Sequence, residues 1–163
     1  SSDAFLVLRA QSLGVTIWEI FVMIALFNLV TTLSAYPAGV LSDRIERRHL
    51  IRAGWITYAI IYLGFGFATE TWQIWVLYIC YGIFYGLTEG VEKAFVADLV
   101  TKEQRGAAYG IYNGAIGLAV LPASLIAGLL WQAYGPQAPF LFGSAIAVIS
   151  TLLLSTVAET ARE

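Results

Sequence analysis

AGVLSDRIERRHLIRAG, residues 38–54, sets Arg44, Arg47, Arg48, His49 and Arg52 between two long runs that carry almost no charge. A basic cluster of this kind suits nucleic acid, a membrane surface, or the seating of a polytopic protein in a bilayer. Its flanks decide among these. Of 163 residues, 59% are hydrophobic and only 12% are charged, about half the charge of an ordinary soluble domain. A water-soluble chain of this size has too few polar residues here to cover its surface, so a soluble globule is set aside.

A helix rising about 1.5 Å per residue needs about 20 apolar residues to cross a hydrocarbon core of roughly 30 Å. The run before the cluster, residues 17–42, meets that length with Glu19 as its only charge. Working outward, further spans are expected at 50–69, 72–99, 106–133 and 138–158. Between Gly106 and Ala158 no residue is charged, and YGPQAP at 134–139 divides that stretch, because Gly-Pro followed by a second proline is a turn signal. Residues 1–13 are apolar at AFLVL but too short to cross, and read as the end of another helix. The expectation is a single all-α membrane domain over 1–163, with loops at 43–49 and 100–105 and antiparallel neighbours joined by tight turns. No linker or low-complexity segment divides it.

Alternating the sides from the cluster gathers Arg44, Arg47, Arg48, Arg52, Lys102, Arg105 and Arg162 on one face and leaves only Arg9 on the other. Lys and Arg mark cytoplasmic loops, so both loops and the C-terminus are expected in the cytoplasm. Trp18, Trp72, Trp75, Trp131 and Tyr134 then fall near the outer ends as an aromatic belt. Nucleic acid is excluded as a partner by this setting. One histidine and one cysteine, Cys80, leave no zinc ligand set and no internal disulfide.

The spacing Gly39-x-x-x-Asp43-Arg44-x-x-Arg47-Arg48 resembles the signature loop of the major facilitator superfamily, Gly-x-x-x-Asp-Arg-x-Gly-Arg-Arg/Lys, which joins two membrane helices. Glu46 is the departure, standing where the family has glycine, so a looser turn is expected there. The stretch from Asp98 through Arg105 to Gly106 is similar to a second family segment, Asp-x-x-Pro-x-x-x-Arg-Gly, with Thr101 replacing proline. In that family two six-helix halves form the carrier, and a degenerate loop recurs in the second half. The resemblance implies that these spans are helices eight to twelve, with residues 1–13 ending the seventh and AETARE lying close to a C-terminus. It also implies that Asp43 and Arg44, helped by Arg47 and Arg48, latch the cytoplasmic face against an N-terminal half. A plain topology anchor is the alternative for the same residues.

Charges inside a membrane are expensive and face a partner or an aqueous path. The third span carries Glu89, Glu92, Lys93 and Asp98. Glu89 and Lys93 are four apart in the favourable order, and Glu89 lies about 25 Å along the helix from Trp72. Two readings stand side by side: Glu89 or Glu92 as a protonatable coupling or gating group, and a Glu89–Lys93 pair that only fixes packing. Gly82, Gly86 and Gly90, like Gly106, Gly110 and Gly114, recur every four residues, a spacing that lets helices approach closely. Pro122 is expected to kink its span. Asn28, Tyr112 and Asn113 are candidate cavity-lining groups.

No nucleophilic triad, phosphate-cradling loop or ATP-binding motif is present, which argues against an enzyme or a primary pump. The expected function is that of a C-terminal half of a secondary transporter in a prokaryotic cytoplasmic membrane, unable to transport alone. By family analogy it exports a small organic or drug-like molecule using a proton gradient, with no bound cofactor. A facilitative or symport-type carrier, and a non-transporting scaffold or sensor, remain the alternatives. Its partners are the lipid bilayer, the first six-helix half and a small-molecule substrate.

Overall fold

The computed structural model describes residues 3–42 and 44–160, with side chains as far as residue 154. It is all-α. Helix α1 is Asp3–Ser12, α2 Ile17–Ser42, α3 Arg47–Phe67, α4 Thr71–Asp98, α5 Arg105–Tyr134 and α6 Ala138–Thr160, with a 3-10 turn at Lys102–Gln104 before α5. Helices α2, α3 and α4, and α5 together with its 3-10 turn, are long and apolar enough to cross a membrane. At 23 residues, α6 has a rise of about 34 Å. The protein is a multi-pass membrane helix bundle.

Several boundaries differ from the expected spans. The loop expected over 43–49 is shorter, because α3 starts at Arg47 and takes Arg47 and Arg48 into its first turn. Glu46 is its N-cap residue, at φ −54° and ψ 122°. A negative φ is open to any L-residue, so this turn has no need of the glycine that the family pattern carries. Left-handed backbone is confined, among the described residues, to Gly14 and Gly135, at φ 86° and 89°. Gly14 sits in the turn between α1 and α2. Gly135 follows the last residue of α5 and donates its N–H to the Trp131 carbonyl at 3.0 Å. Both match the habit of helices to end on a left-handed glycine.

The helix ends at the pole opposite the basic loop are closed by side chains. Thr16 and Glu19 exchange hydrogen bonds as a capping box at the start of α2: Thr16 N–H donates to Glu19 Oε2 at 2.7 Å, and Glu19 N–H to Thr16 Oγ1 at 3.4 Å. At the start of α4, Gln73 Oε1 accepts from the N–H groups of Thr69 and Glu70 at 2.7 and 3.0 Å. Arg9, the lone basic residue on this side among those described, is buried at 4% exposure. Its guanidinium donates to the carbonyls of Phe65, Gly66 and Ala68 at 2.9, 3.2 and 2.7 Å. Those are the unpaired carbonyls at the end of α3, where a cation is also favoured by the helix dipole.

Helix α4 is the hub: α2 packs along one side of it and α3 along another, while α3 carries α6. The α2–α4 crossing is close because Gly82 and Gly86 have no side chains. A Cβ on Gly86 would strike the Thr31 carbonyl oxygen and lie 2.8 Å from Ser34 Cβ, and one on Gly82 would be 3.1 Å from the Phe27 carbonyl. The approach lets Thr31 Oγ1 donate to the Gly82 carbonyl at 3.1 Å. Gly54 meets Thr88 at the α3–α4 crossing, and Gly143 meets the Tyr62 ring between α3 and α6. Between them lies an aromatic core of Tyr62, Phe65, Tyr78, Tyr81, Phe84 and Phe140. Since lipid is as apolar as this core, contact and ring geometry rather than exclusion of water hold it together.

The close packing expected at all six spaced glycines is present at Gly82 and Gly86 only. Nothing lies within 4 Å of a Cβ built on Gly90, Gly106, Gly110 or Gly114. Three of these are on α5, which touches the bundle lightly and leaves most of its length open, and Gly90 lies on the exposed face of α4. Pro37 and Pro122 both sit within continuous helices. Trp18, Trp72 and Tyr134 are exposed at the pole of the capping boxes, while Trp75 and Trp131 pack partly against the core, as does Cys80.

Candidate functional site

Two groups of polar side chains occupy the basic half of the bundle. The first stands at its end. Arg47, in the first turn of α3, pairs with Asp98 at the end of α4, with Nη1 2.6 Å from Oδ2. Arg48 lies over the Phe95 ring of α4, 5.8 Å from its centroid, an arrangement in which the ring face attracts the guanidinium. The signature-like loop and the Asp98–Arg105 stretch, far apart in sequence, thus meet at one contact. His49 Nδ1 sits 3.4 Å from Glu46 Oε2, one helical turn away. Gly39 lies in the last turn of α2, accepting from Ser42 Oγ at 2.8 Å, with open space beside it. Arg44 and Arg105 are exposed. Asp43 lies outside the described residues.

The second group lies about one and a half to two and a half turns deeper along α4. Glu92 accepts from Trp55 Nε1 of α3 at 3.1 Å on one oxygen and from the Tyr112 hydroxyl of α5 at 3.0 Å on the other. Its carboxylate therefore ties three helices. Glu89 and Lys93 form an ion pair at 2.7 Å along α4, each about half exposed. The Tyr109 hydroxyl donates to the Lys93 carbonyl at 3.2 Å, a second tie between α4 and α5. Glu89 and Glu92, three residues apart, thus stand in different settings: one pairs along an open face and the other bonds across helices.

Of the expected polar groups, Tyr112 joins this cluster. Asn28 and Asn113 spend their amide donors on their own helices, at Ile24 O and Tyr109 O, 2.8 and 2.9 Å away. Trp55 was not singled out by sequence reasoning, because an indole in an apolar run reads as lipid-facing or core until its partner is known. A further polar contact was also missed. Asp3 of α1 accepts from the Tyr81 hydroxyl at 3.2 Å.

Helices of membrane-spanning length, a basic loop held to the end of the hub helix and charged side chains gathered at one level of the bundle are features of a transport protein. The profile of the Major Facilitator Superfamily matches residues 4–163. The chain belongs to that superfamily, a family of transporters. It is 40% identical over 159 residues to the uncharacterized MFS-type transporter MJ1317 of Methanocaldococcus jannaschii, covering 94% of this chain and 40% of that one. To the tetracycline resistance protein, class C, of Escherichia coli it is 32% identical, over 81% of this chain and 33% of the relative. To the membrane sensor protein UhpC of Escherichia coli it is 27% identical, over 83% and 31%. The chain therefore spans two fifths or less of the length of these relatives.

Proposed function

We propose that this chain forms the C-terminal six-helix half of a secondary transporter that moves a small organic solute out of a prokaryotic cell by alternating access. It works against an N-terminal half, with the basic loop, the Lys102–Arg105 turn and the C-terminus in the cytoplasm. Proton movement down its gradient drives export, and no bound cofactor is needed. Likeness to a tetracycline resistance protein supports a drug-like solute.

The observation that carries the reading is the split between the two glutamates. Glu92 is tied to Trp55 and Tyr112 on two neighbouring helices, so losing its charge loosens the bundle. Among the described residues Glu89 pairs with Lys93 alone, on a face of α4 that this bundle leaves open. Protonating Glu89 releases Lys93 without unpacking a helix, which is what a coupling group requires. At the end of the bundle, Arg47 and Arg48 brace α3 on α4, and by family resemblance Asp43 and Arg44 latch the two halves while the cytoplasmic side is shut.

The test is flux in proteoliposomes holding the intact carrier. Glu89→Gln is expected to abolish uptake driven by a pH gradient while leaving solute exchange at equal pH. Glu92→Gln is expected to slow both modes and lower thermal stability. Unchanged pH-driven flux in both variants would remove the coupling role. Asp43→Asn is expected to raise labelling of cysteines placed on the cytoplasmic side, and an unchanged labelling pattern would remove the latch. Likeness to UhpC favours a second reading, a membrane sensor built on the same fold. Absence of any flux or exchange in the wild type would favour it, whereas flux insensitive to pH would favour a facilitative carrier.

A further inference from the structure

Asp3 is a carboxylate at the middle of the bundle. It lies at the start of α1, whose other end is anchored by Arg9 at the pole opposite the basic loop. Its partner Tyr81 is ten residues along α4 from Thr71, about 15 Å into a core of roughly 30 Å. At that depth an ionised group calls for a partner of opposite charge. Among the described residues no cation pairs with it. Arg9 is turned to the α3 carbonyls, Lys93 to Glu89 and Arg47 to Asp98. Asp3 is exposed, and its one described hydrogen bond comes from Tyr81.

The surroundings are aromatic. Phe27 of α2 stacks on Tyr81 with centroids 5.5 Å apart, and Tyr85, one turn further along α4, meets both edge-on at 5.8 Å. Tyr81 is 4% exposed and locked in the core, whereas Tyr85 is 37% exposed. Ring faces attract cations, more so where water is sparse, and a carboxylate beside them adds a full charge. We propose that Asp3, Tyr81 and Tyr85 form a subsite for an organic cation with an aromatic or bulky apolar body. Asp3 neutralises the charge, the Tyr81 hydroxyl orients the carboxylate, and Tyr85 and Phe27 offer the ring surface. This rests on the transporter reading and names its substrate class.

The test uses the intact carrier in detergent, with tetraphenylphosphonium as probe and tetraphenylborate as its anion of equal shape. The wild type is expected to bind the cation and not the anion. Asp3→Asn is expected to weaken cation binding by roughly tenfold or more, the scale of one lost charge contact. Tyr85→Ala should weaken it less, and Asp3→Glu should restore part of it. Asp3→Glu also guards against misfolding, as does elution of each variant as a single monodisperse peak. Equal binding of both probes, failure of the wild type to bind the cation, or undiminished binding by folded Asp3→Asn would overturn the subsite. So would loss of pH-driven flux in Asp3→Asn with cation binding unchanged, which would make Asp3 a proton carrier instead. The two readings fail separately. If folded Asp3→Asn still binds and exports the cation like the wild type, the subsite falls while the transporter reading stands; if the wild type moves nothing, the transporter reading falls.

Discussion

Arg9 closes the end of a helix to which it does not belong. Three carbonyls at the end of α3 receive its donors, and with the guanidinium gone they would face a low-dielectric interior unpaired. Hydrogen bonds from a charged group contribute about 1.5–3 kcal/mol, with part regained by water near the membrane surface. Arg9→Ala is therefore expected to destabilise the protein by about 3 kcal/mol in thermal unfolding in detergent. Arg9→Lys should lose most of that too, because a point ammonium cannot reach three carbonyls as a planar fork does. A loss below about 1 kcal/mol would mean that the carbonyls find water. In the sequence Arg9 was legible only as the odd basic residue on its side, since its partners lie 56 to 59 positions away. Glu46 is the opposite case. The family pattern made it conspicuous, yet its backbone is ordinary, so Glu46→Gly is expected to change stability by no more than about 0.5 kcal/mol. A gain well above that would mean that the turn is strained after all. Arg47 and Asp98 each stood out as part of a motif, but their pairing did not, because it depends on where α3 begins.

At the scale of the helices, the seam between α2 and α4 fixes the bundle. Gly82 and Gly86 bring α4 against the backbone of α2, where a side chain would meet carbonyl oxygens rather than yielding side chains. Overfilling a packed contact costs about 1–3 kcal/mol, and here the backbone must move. Gly86→Val is expected at the upper end of that range or beyond, with loss of the Thr31–Gly82 hydrogen bond. Gly90, one turn on, faces open space, so Gly90→Ala should be neutral or stabilise by up to about 1 kcal/mol through helix propensity. Thermal unfolding of the pair separates the seam from the spacing, and an equal effect at both positions would contradict the crossing. The ends of the long helices lie within three residues of the expected spans, because apolar length is a strong signal in a membrane protein. Spacing of small residues announced that helices approach closely but not which glycine meets which partner, since that depends on the rotation of each helix. The start of α3 was misplaced for a related reason: charged residues at its N-terminus resemble a loop until the cap residue is known.

On the scale of the whole molecule, α5 differs from the other long helices. It is tied to α4 at one end by Tyr109 and Tyr112, while its glycines from Gly106 to Gly117 have no neighbour within 4 Å of a built Cβ. Small residues at this spacing admit a close helix partner, and within the bundle none is there. That absence is what made the sequence misleading, because the same four-residue spacing marks a filled seam on α4 and an open one on α5. If the open face is where the proposed first half rocks against α5, a large side chain there leaves this bundle intact and obstructs movement between halves. Gly110→Trp is therefore expected to leave the helical content unchanged by circular dichroism and to shift stability by no more than about 0.5 kcal/mol. Solute flux by the intact carrier should fall to background. Gly110→Ala should transport normally, since a methyl group fits most helix approaches that glycine permits. Retained flux in Gly110→Trp would place this face against lipid instead, and α5 would then be a passive outer helix rather than part of the moving contact.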